Sequence, residues 1–552
     1  MKRFQMKFKQ FLWVIVFFPF GVLFAQKDTS VKPSVTIISS YKPVLISPAK
    51  INFYGSSLPT DTNRDVRSYN IPSQNYVYSY QSVSLSPLSM QTDSNELLRG
   101  LHHFIKLGYG NLNTPFLNAG TYINTIPSAL ITANVSSLSS KGKIKNQDYS
   151  LFSFKSNASY FFRDNEADAN LSFDRRQNYL FGYDHTKYDF NKKDISHLFN
   201  DLSFSIGIRN TANHFLKLYY NPSFVVDIFS AKDSLKENTV KVSMPAEVRF
   251  NDQFKAGVSA SIDATNVSFT NQQSQKVSFK NSVSNLKGYI QYKKTGLNVN
   301  AGFAAVRSFN HWSVLPDIKA EMPVSNQNIV LFAGWSGNVI KNTYRNLSVL
   351  NPYLKAQSAQ LNTTKNEIYG GIKSFIGKFI SVSAKAAWER YKNYQFFLND
   401  TTSASILNAY VLSAEPIVNN FSLHGELNYV KHEKFSFSGE VTFNGYTGMK
   451  ANAKAWNTLP MEARINFMSQ VNKKLKMTGS FFLFAGGHYL ERGNISKLNE
   501  GGSDLSIASE YKINKKFIGF LNLNNIFGKS YERWRYYPVY GFNAVGGIKV
   551  IF

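Results

Sequence analysis

Cysteine is missing from all 552 residues. No disulfide, thiolate metal site, thiol nucleophile or lipid-bearing Cys can be built, so any membrane attachment has to come from the fold. The lack of Cys neither requires nor excludes an oxidising compartment. Charge is scarce as well: 18% of residues are Asp, Glu, Lys or Arg, against roughly 25% in a soluble domain. Beyond residue 24 no apolar run approaches the roughly 20 residues of a membrane-spanning helix, and overall hydropathy is slightly negative. An α-helical membrane protein is excluded on those grounds.

Catalytic signatures are equally sparse. There is no H-E-x-x-H and no G-x-S-x-G. Gly528-Lys529-Ser530 is only the tail of a phosphate loop. His102 and His103 are adjacent, and neighbours on a strand point to opposite faces. Asp174-Arg175-Arg176 near a strand end reads as ordinary lumen charge pairing, with anion binding as the sharper alternative. The chain is therefore read as no enzyme, with no cofactor and no metal site.

What is present is aromatic, polar and basic. Phe (46) and Tyr (31) raise the aromatic share to 15%, among abundant Ser and Asn. That mix suits a wall with one apolar and one polar face. Net charge is +27; removing residues 1–25 takes away Lys2, Arg3, Lys7 and Lys9 and no acid, leaving +23. Such a balance favours anionic partners. The basic residues are scattered one or two per strand and turn rather than clustered, so they read as lumen and rim charges and not as a nucleic-acid site.

The N-terminus has the pattern of an export signal. MKRFQMKFKQ at 1–10 is positive, and FLWVIVFFPFGVLF at 11–24 is apolar but too short to span a bilayer. Cleavage is expected between Ala25 and Gln26.

Downstream, apolar and polar residues alternate with period two, the code of a strand between lipid and water. In 421–430, Phe421, Leu423, Leu427 and Tyr429 share a face with Gly425, and Ser422, His424, Glu426 and Asn428 share the other. After the KHEK turn at 431–434, Phe435, Phe437, Val441 and Phe443 alternate with Ser436, Ser438, Glu440, Thr442 and Asn444. In 379–389, Ile380, Val382, Ala384 and Trp388 oppose Ser381, Ser383, Lys385 and Glu389. His424, Glu426, Asn428, Glu440, Asn444, Lys385 and Glu389 are the lumen-facing candidates; His424 and Glu426 read as a lumenal polar pair rather than a catalytic one.

Tight turns at Asn251-Asp252, Lys294-Thr295-Gly296, Asn472-Lys473-Lys474 and Asn514-Lys515-Lys516 alternate with long polar connections at 183–195, 339–363, 394–415, 447–460, 490–502 and 529–539. Short periplasmic turns and long external loops are the expected asymmetry of a barrel. The reading is all-β: a transmembrane antiparallel β-barrel of about 22 strands, with 16 to 20 as the alternative, starting near Phe104 and occupying 101–552. A soluble β-sandwich or solenoid could also alternate, but seldom with strands so long and aromatic.

The chain ends YGFNAVGGIKVIF. Phe542, Ala544, Gly546, Ile548, Val550 and Phe552 fall on one face, in the pattern of a terminal strand that the barrel-assembly machinery reads as an edge.

Two regions carry a family resemblance. FLNLNNIF at 520–527, with Lys529, Tyr531, Trp534, Tyr537-Pro538 and Gly541, resembles the final hairpin of TonB-dependent receptors of the Bacteroidetes. FIKLGYGN at 104–111, Thr114-Pro115 and Leu138 to Gly142 resemble the opening strands of receptor-like barrels in that group. The resemblance implies a 22-stranded barrel in a Gram-negative outer membrane. It also implies a full plug domain behind a TonB box, for which the 75 residues of 26–100 are too few; Ser34 to Ile38 is the one candidate box.

Segment 26–100 holds six prolines and short β-prone pieces. Three placements stay open: a periplasmic extension, a small plug in the lumen, or a docking arm for a periplasmic partner. Other expected partners are outer-membrane lipid, lipopolysaccharide and, during biogenesis, the barrel-assembly machinery. Two functions remain: a receptor-like transporter or porin-like channel that binds or passes a solute, and a non-transporting platform for envelope proteins.

Overall fold

A computed structural model describes residues 103–552 apart from 125, 127, 211–217, 233–234, 271–273, 295, 325–327, 357–360, 402–405, 432–433 and 494. The export signal, its Ala25–Gln26 cleavage point and segment 26–100 lie outside the described residues.

Twenty-three strands form one antiparallel sheet that closes on itself. Leu218–Tyr220 and Ser223–Ala231 both pair with Lys236–Arg249 in a single register, Tyr220 opposite Ala246 and Ser223 opposite Ser243, so they are one stave interrupted at Asn221-Pro222. The barrel thus has 22 staves. Pro cannot donate to a ladder, which accounts for the interruption. The first stave, Phe104–Gly110, pairs with the last, Asn543–Ile551, from Phe104 opposite Ile551 to Gly110 opposite Val545. Closure removes every free edge, and in a bilayer core that is a condition for stability.

The seam depends on glycine at one point. Gly547 faces Gly108, and a Cβ on Gly547 would lie 2.0 Å from the Leu107 carbonyl oxygen. Any side chain there would force the last strand away from the first.

Both ends of the barrel chain, Phe104 and Ile551, lie at one rim. At that rim the chain reverses tightly, for example between Phe162 and Asn165, Arg249 and Phe254, Gln470 and Leu475, and Lys512 and Phe517. The long connections at 180–195, 341–362, 400–409, 448–460, 486–501 and 525–542 leave the opposite rim. The tight-turn rim is the periplasmic one and the loop rim the external one.

The connection expected over 394–415 is shorter than its sequence suggests. Ile380–Asn399 and Tyr410–Lys431 stay paired above the membrane, as far as Asn399 opposite Tyr410. Ladder hydrogen bonds and loop packing on Tyr391, Phe396 and Val418 hold that extension. Twenty-two residues in one strand is about twice what a bilayer needs. In the other direction Phe517–Asn524 stops well before the connection expected at 529–539, because Asn525 turns into the left-handed region with φ 44°.

Alternation sorts the two faces. Leu107, Tyr109, Val258, Ile262, Ile290, Phe303, Trp312 and Val314 point outward and are exposed. On the last stave Ala544, Gly546, Ile548 and Val550 lie on the outward face, opposite to Val545, Gly547 and Lys549. Among the described residues the sole α-helix is Tyr344–Leu350, and no helix is long and apolar enough to cross a membrane. A closed barrel with this apolar outer wall is built to sit in an outer membrane.

Candidate functional site

The inner wall is polar and tightly paired. Glu389 is its best-connected group: it accepts from the Tyr391 hydroxyl and from Asn420 Nδ2, both at 2.8 Å, and pairs with Lys365 at 2.8 Å. Lys365 also reaches Glu367 at 3.3 Å, and Glu367 pairs in turn with Lys385. Asn420 continues to Asn444 Oδ1 at 3.0 Å, and Asn444 donates to the Leu459 carbonyl at 3.2 Å. Glu440 faces Arg464 at 3.8 Å. His424 Nδ1 lies 2.9 Å from the Thr442 hydroxyl, and Asn428 donates to Glu426 at 2.6 Å.

Lys385, Glu389 and Asn444 therefore join one continuous network. His424, Glu426, Asn428 and Glu440 sit lower on the same face in local pairs. Nothing in this arrangement sets a base against a nucleophile. Among the described residues no group of three His, Asp or Glu side chains could hold a metal ion. The wall can bind polar solutes and repel apolar ones.

Across the barrel the wall is hollowed into a cavity of about 430 Å³, lined among others by Phe104, Tyr122, Asn134, Lys155, Asn157 and Asn170. Asn134 donates to Asn118 at 3.2 Å, and Asn157 donates to Asn170. Amide side chains with their mutual bonds already made can exchange partners with a passing hydroxylated or amide solute.

The external mouth is the larger surprise. Leu180, Phe181, Tyr183 and Ile195 come from the connection after Asn165–Tyr179, Leu347 and Leu354 from that after Ile329–Ile340, Ala409 from that after Ile380–Asn399 with Tyr410 at the start of the next strand, and Trp534 and Tyr537 from that before the last stave. All are buried in one aromatic core. These connections rise from widely separated points on a ring of 22 staves, so they can meet only over the middle of the mouth.

The contacts are specific. Tyr353 stacks on Tyr537 with centroids 3.6 Å apart, and Phe181 meets Tyr537 edge-on at 5.2 Å. Trp534 sits edge-on against Tyr410 and Phe397, each at 5.2 Å. The Tyr537 hydroxyl donates to the Leu407 carbonyl at 2.7 Å, and Asn408 Nδ2 donates to the Gly182 carbonyl at 2.5 Å. Lys355 N donates to the Tyr410 carbonyl at 2.9 Å, and Tyr410 N to the Tyr353 carbonyl at 3.0 Å. Burial pushes the Tyr353 and Tyr537 phenols well above their usual range.

Two buried carboxylates anchor external connections to the wall. Thr343 caps the helix Tyr344–Leu350 by accepting from Asn346 N at 3.2 Å, and Glu237 on the wall accepts from Tyr344 N and Arg345 N at 2.7 and 2.8 Å. Arg345 then bridges to Asp201 at 2.8 Å and Asp227 at 3.0 Å. The second anchor is Glu415, which is fully buried. Its carboxylate accepts from Lys450 N, Ala451 N, Asn452 N and Asn452 Nδ2 at 2.7–3.1 Å, pinning the connection 448–460.

Sequence reasoning named Trp534 and Tyr537 only as carriers of the family resemblance, and none of the other cap and anchor residues. One signal was available: 531–540 carries Tyr531, Trp534, Tyr536, Tyr537 and Tyr540, too many rings for a solvated loop.

This geometry has solved counterparts. The FrpB iron transporter of Neisseria meningitidis superposes with a TM-score of 0.63 at 9% identity, over 84% of this chain and 83% of that one. The siderophore receptor PirA of Acinetobacter baumannii gives 0.61 at 10%, over 82% and 80%. The receptor FpvA of Pseudomonas aeruginosa bound to pyoverdine gives 0.60 at 11%, over 82% and 78%. The fold is that of a TonB-dependent-receptor-like barrel. No protein-family model matches the sequence, and no curated protein matches it either. At these identities the likeness carries the architecture of the receptor-like barrel; the residues of its cap and lumen are this chain's own.

Proposed function

We propose that the chain is an outer-membrane receptor-like transporter that engages a polar solute at its loop-covered external mouth and passes it down the polar lumen. The observation that carries this reading is the pairing of two features. A packed cap covers the mouth, and below it lie hydrogen-bonding groups that a structural barrel would not require. The neighbours, described as an iron transporter and siderophore receptors, support a receptor-like role. On this reading residues 1–25 direct export, and 26–100 serve as a periplasmic extension, a small plug in the lumen or the contact for a periplasmic partner. The terminal residues Phe542 to Phe552 serve as the assembly signal.

The packed aromatic core also favours a second reading, a closed platform for envelope proteins. Proteoliposome swelling separates the two. A Trp534→Ala/Tyr537→Ala variant should admit small neutral sugars that the parent chain excludes. If the cap variant folds and still admits nothing, the lumen is filled below the cap and the platform reading stands.

A further inference from the structure

On the outside of the barrel, beside the cap, the external ends of the first five staves and three connections enclose a groove of about 480 Å³. Tyr109, Ser139, Ser150, Gln177 and Tyr179 form its floor, and Lys141, Asp148 and Lys192 its upper edge. Lys192 pairs with Asp148 at 2.8 Å and lies 5.5 Å from the Tyr179 ring centroid. Lys141 is exposed and makes no ion pair among the described residues. Arg175, also exposed and without an ion pair among the described residues, stands two positions below Gln177 on the same outward face, about 7 Å toward the membrane. Its neighbours Asp174 and Arg176 point the other way, so the triplet divides between the two surfaces.

Beneath the groove the wall turns apolar. Phe152 is directly opposite Arg175, its ring 6.1 Å from Phe173, and Leu107 is exposed two positions below Tyr109. A ligand filling this groove needs negative charge for Lys141 and Arg175, hydroxyls for the Ser and Gln side chains, and a flat saccharide face for the Tyr rings. It also needs apolar chains that run down the wall. A soluble sugar phosphate meets the first three conditions and leaves the fourth surface bare.

We propose that this groove binds the phosphorylated glycolipid headgroup of the outer leaflet, with its acyl chains laid along Phe152, Phe173 and Leu107. This rests on the barrel's place in an outer membrane and not on what passes through the lumen. Arg gives bidentate contacts to phosphate and Lys a point charge, and both are attracted to an anionic lipid surface.

The test uses the full chain in detergent, with purified lipopolysaccharide as the probe. The parent should retain it, and Lys141→Glu/Arg175→Glu should weaken retention about tenfold or more. Lys392→Glu, an exposed basic position on a distant stave, should leave it unchanged. Dephosphorylated lipopolysaccharide should bind the parent as weakly as the phosphorylated form binds the double variant, and millimolar inorganic phosphate should not compete. Folding of each variant is checked by its heat-dependent shift in gel mobility; if the double variant does not fold, Lys141→Gln/Arg175→Gln replaces it. Equal retention by parent and double variant overturns the proposal. So does an equal loss with Lys392→Glu, which would mean diffuse attraction, or full competition by phosphate, which would mean an anion site without a lipid.

Discussion

Single side chains decide two of the least forgiving points in this barrel. Glu415 is a buried carboxylate that, among the described residues, is compensated by a set of amide donors from 450–452. Hydrogen bonds to a charged group contribute roughly 1.5–3 kcal/mol each, and removing the acceptor leaves buried donors unpaired. Glu415→Ala should therefore free the connection 448–460 without unfolding the barrel. Limited proteolysis of the folded protein would show it, by new cleavage within 448–460 that the parent resists. Gly547 is the other point. Gly547→Val places a branched side chain against the Leu107 carbonyl and should abolish closure, leaving no heat-resistant folded form on a gel. Gly288→Ala, where an added Cβ meets nothing within 4 Å, should fold like the parent.

At the scale of elements, staves and loops obey different rules, and this sets what the sequence reveals. A stave separates lipid from a polar interior, so each residue reports its own face; Phe421, Leu423 and Leu427 against Ser422, His424 and Glu426 can be read directly. The cap has no such period. Tyr537 meets Tyr353, Phe181 and Leu407 because loops from across the ring converge, and no local pattern encodes which loop will meet which. The extension of Ile380–Asn399 and Tyr410–Lys431 above the membrane was hidden for the same reason: its inward residues are apolar, packing on loops instead of lining a wet lumen. The cap's tyrosines give it a pH dependence. The Tyr353 and Tyr537 phenols are raised in the folded cap. Their stabilisation is complete below the free phenol value of about 10 and is lost as pH climbs from there toward the folded values. The cap should hold through neutral pH and open in strong alkali before the staves separate. Phenolate absorbance should rise while the far-ultraviolet β-sheet signal persists; simultaneous loss of both would contradict a separately opening cap.

The whole molecule is a polar tube with an apolar exterior and a lid made from its own loops. Its excess of basic residues does not create one positive surface. Inside, Lys365, Lys385 and Arg345 are neutralised by Glu389, Glu367 and Asp201, and Lys141 and Arg175 stand outside, toward the external rim. The barrier to solutes is then the cap. Truncating a buried aromatic costs roughly 3–5 kcal/mol, enough for Trp534→Ala and Tyr537→Ala together to disperse a lid held by so small a core. Planar-bilayer conductance of the chain without residues 26–100, with the cap intact and with both substitutions, tests this most directly. The cap-intact form should stay closed and the substituted form should conduct steadily. Full conductance with the cap intact would show that the loops are no barrier and would contradict this account.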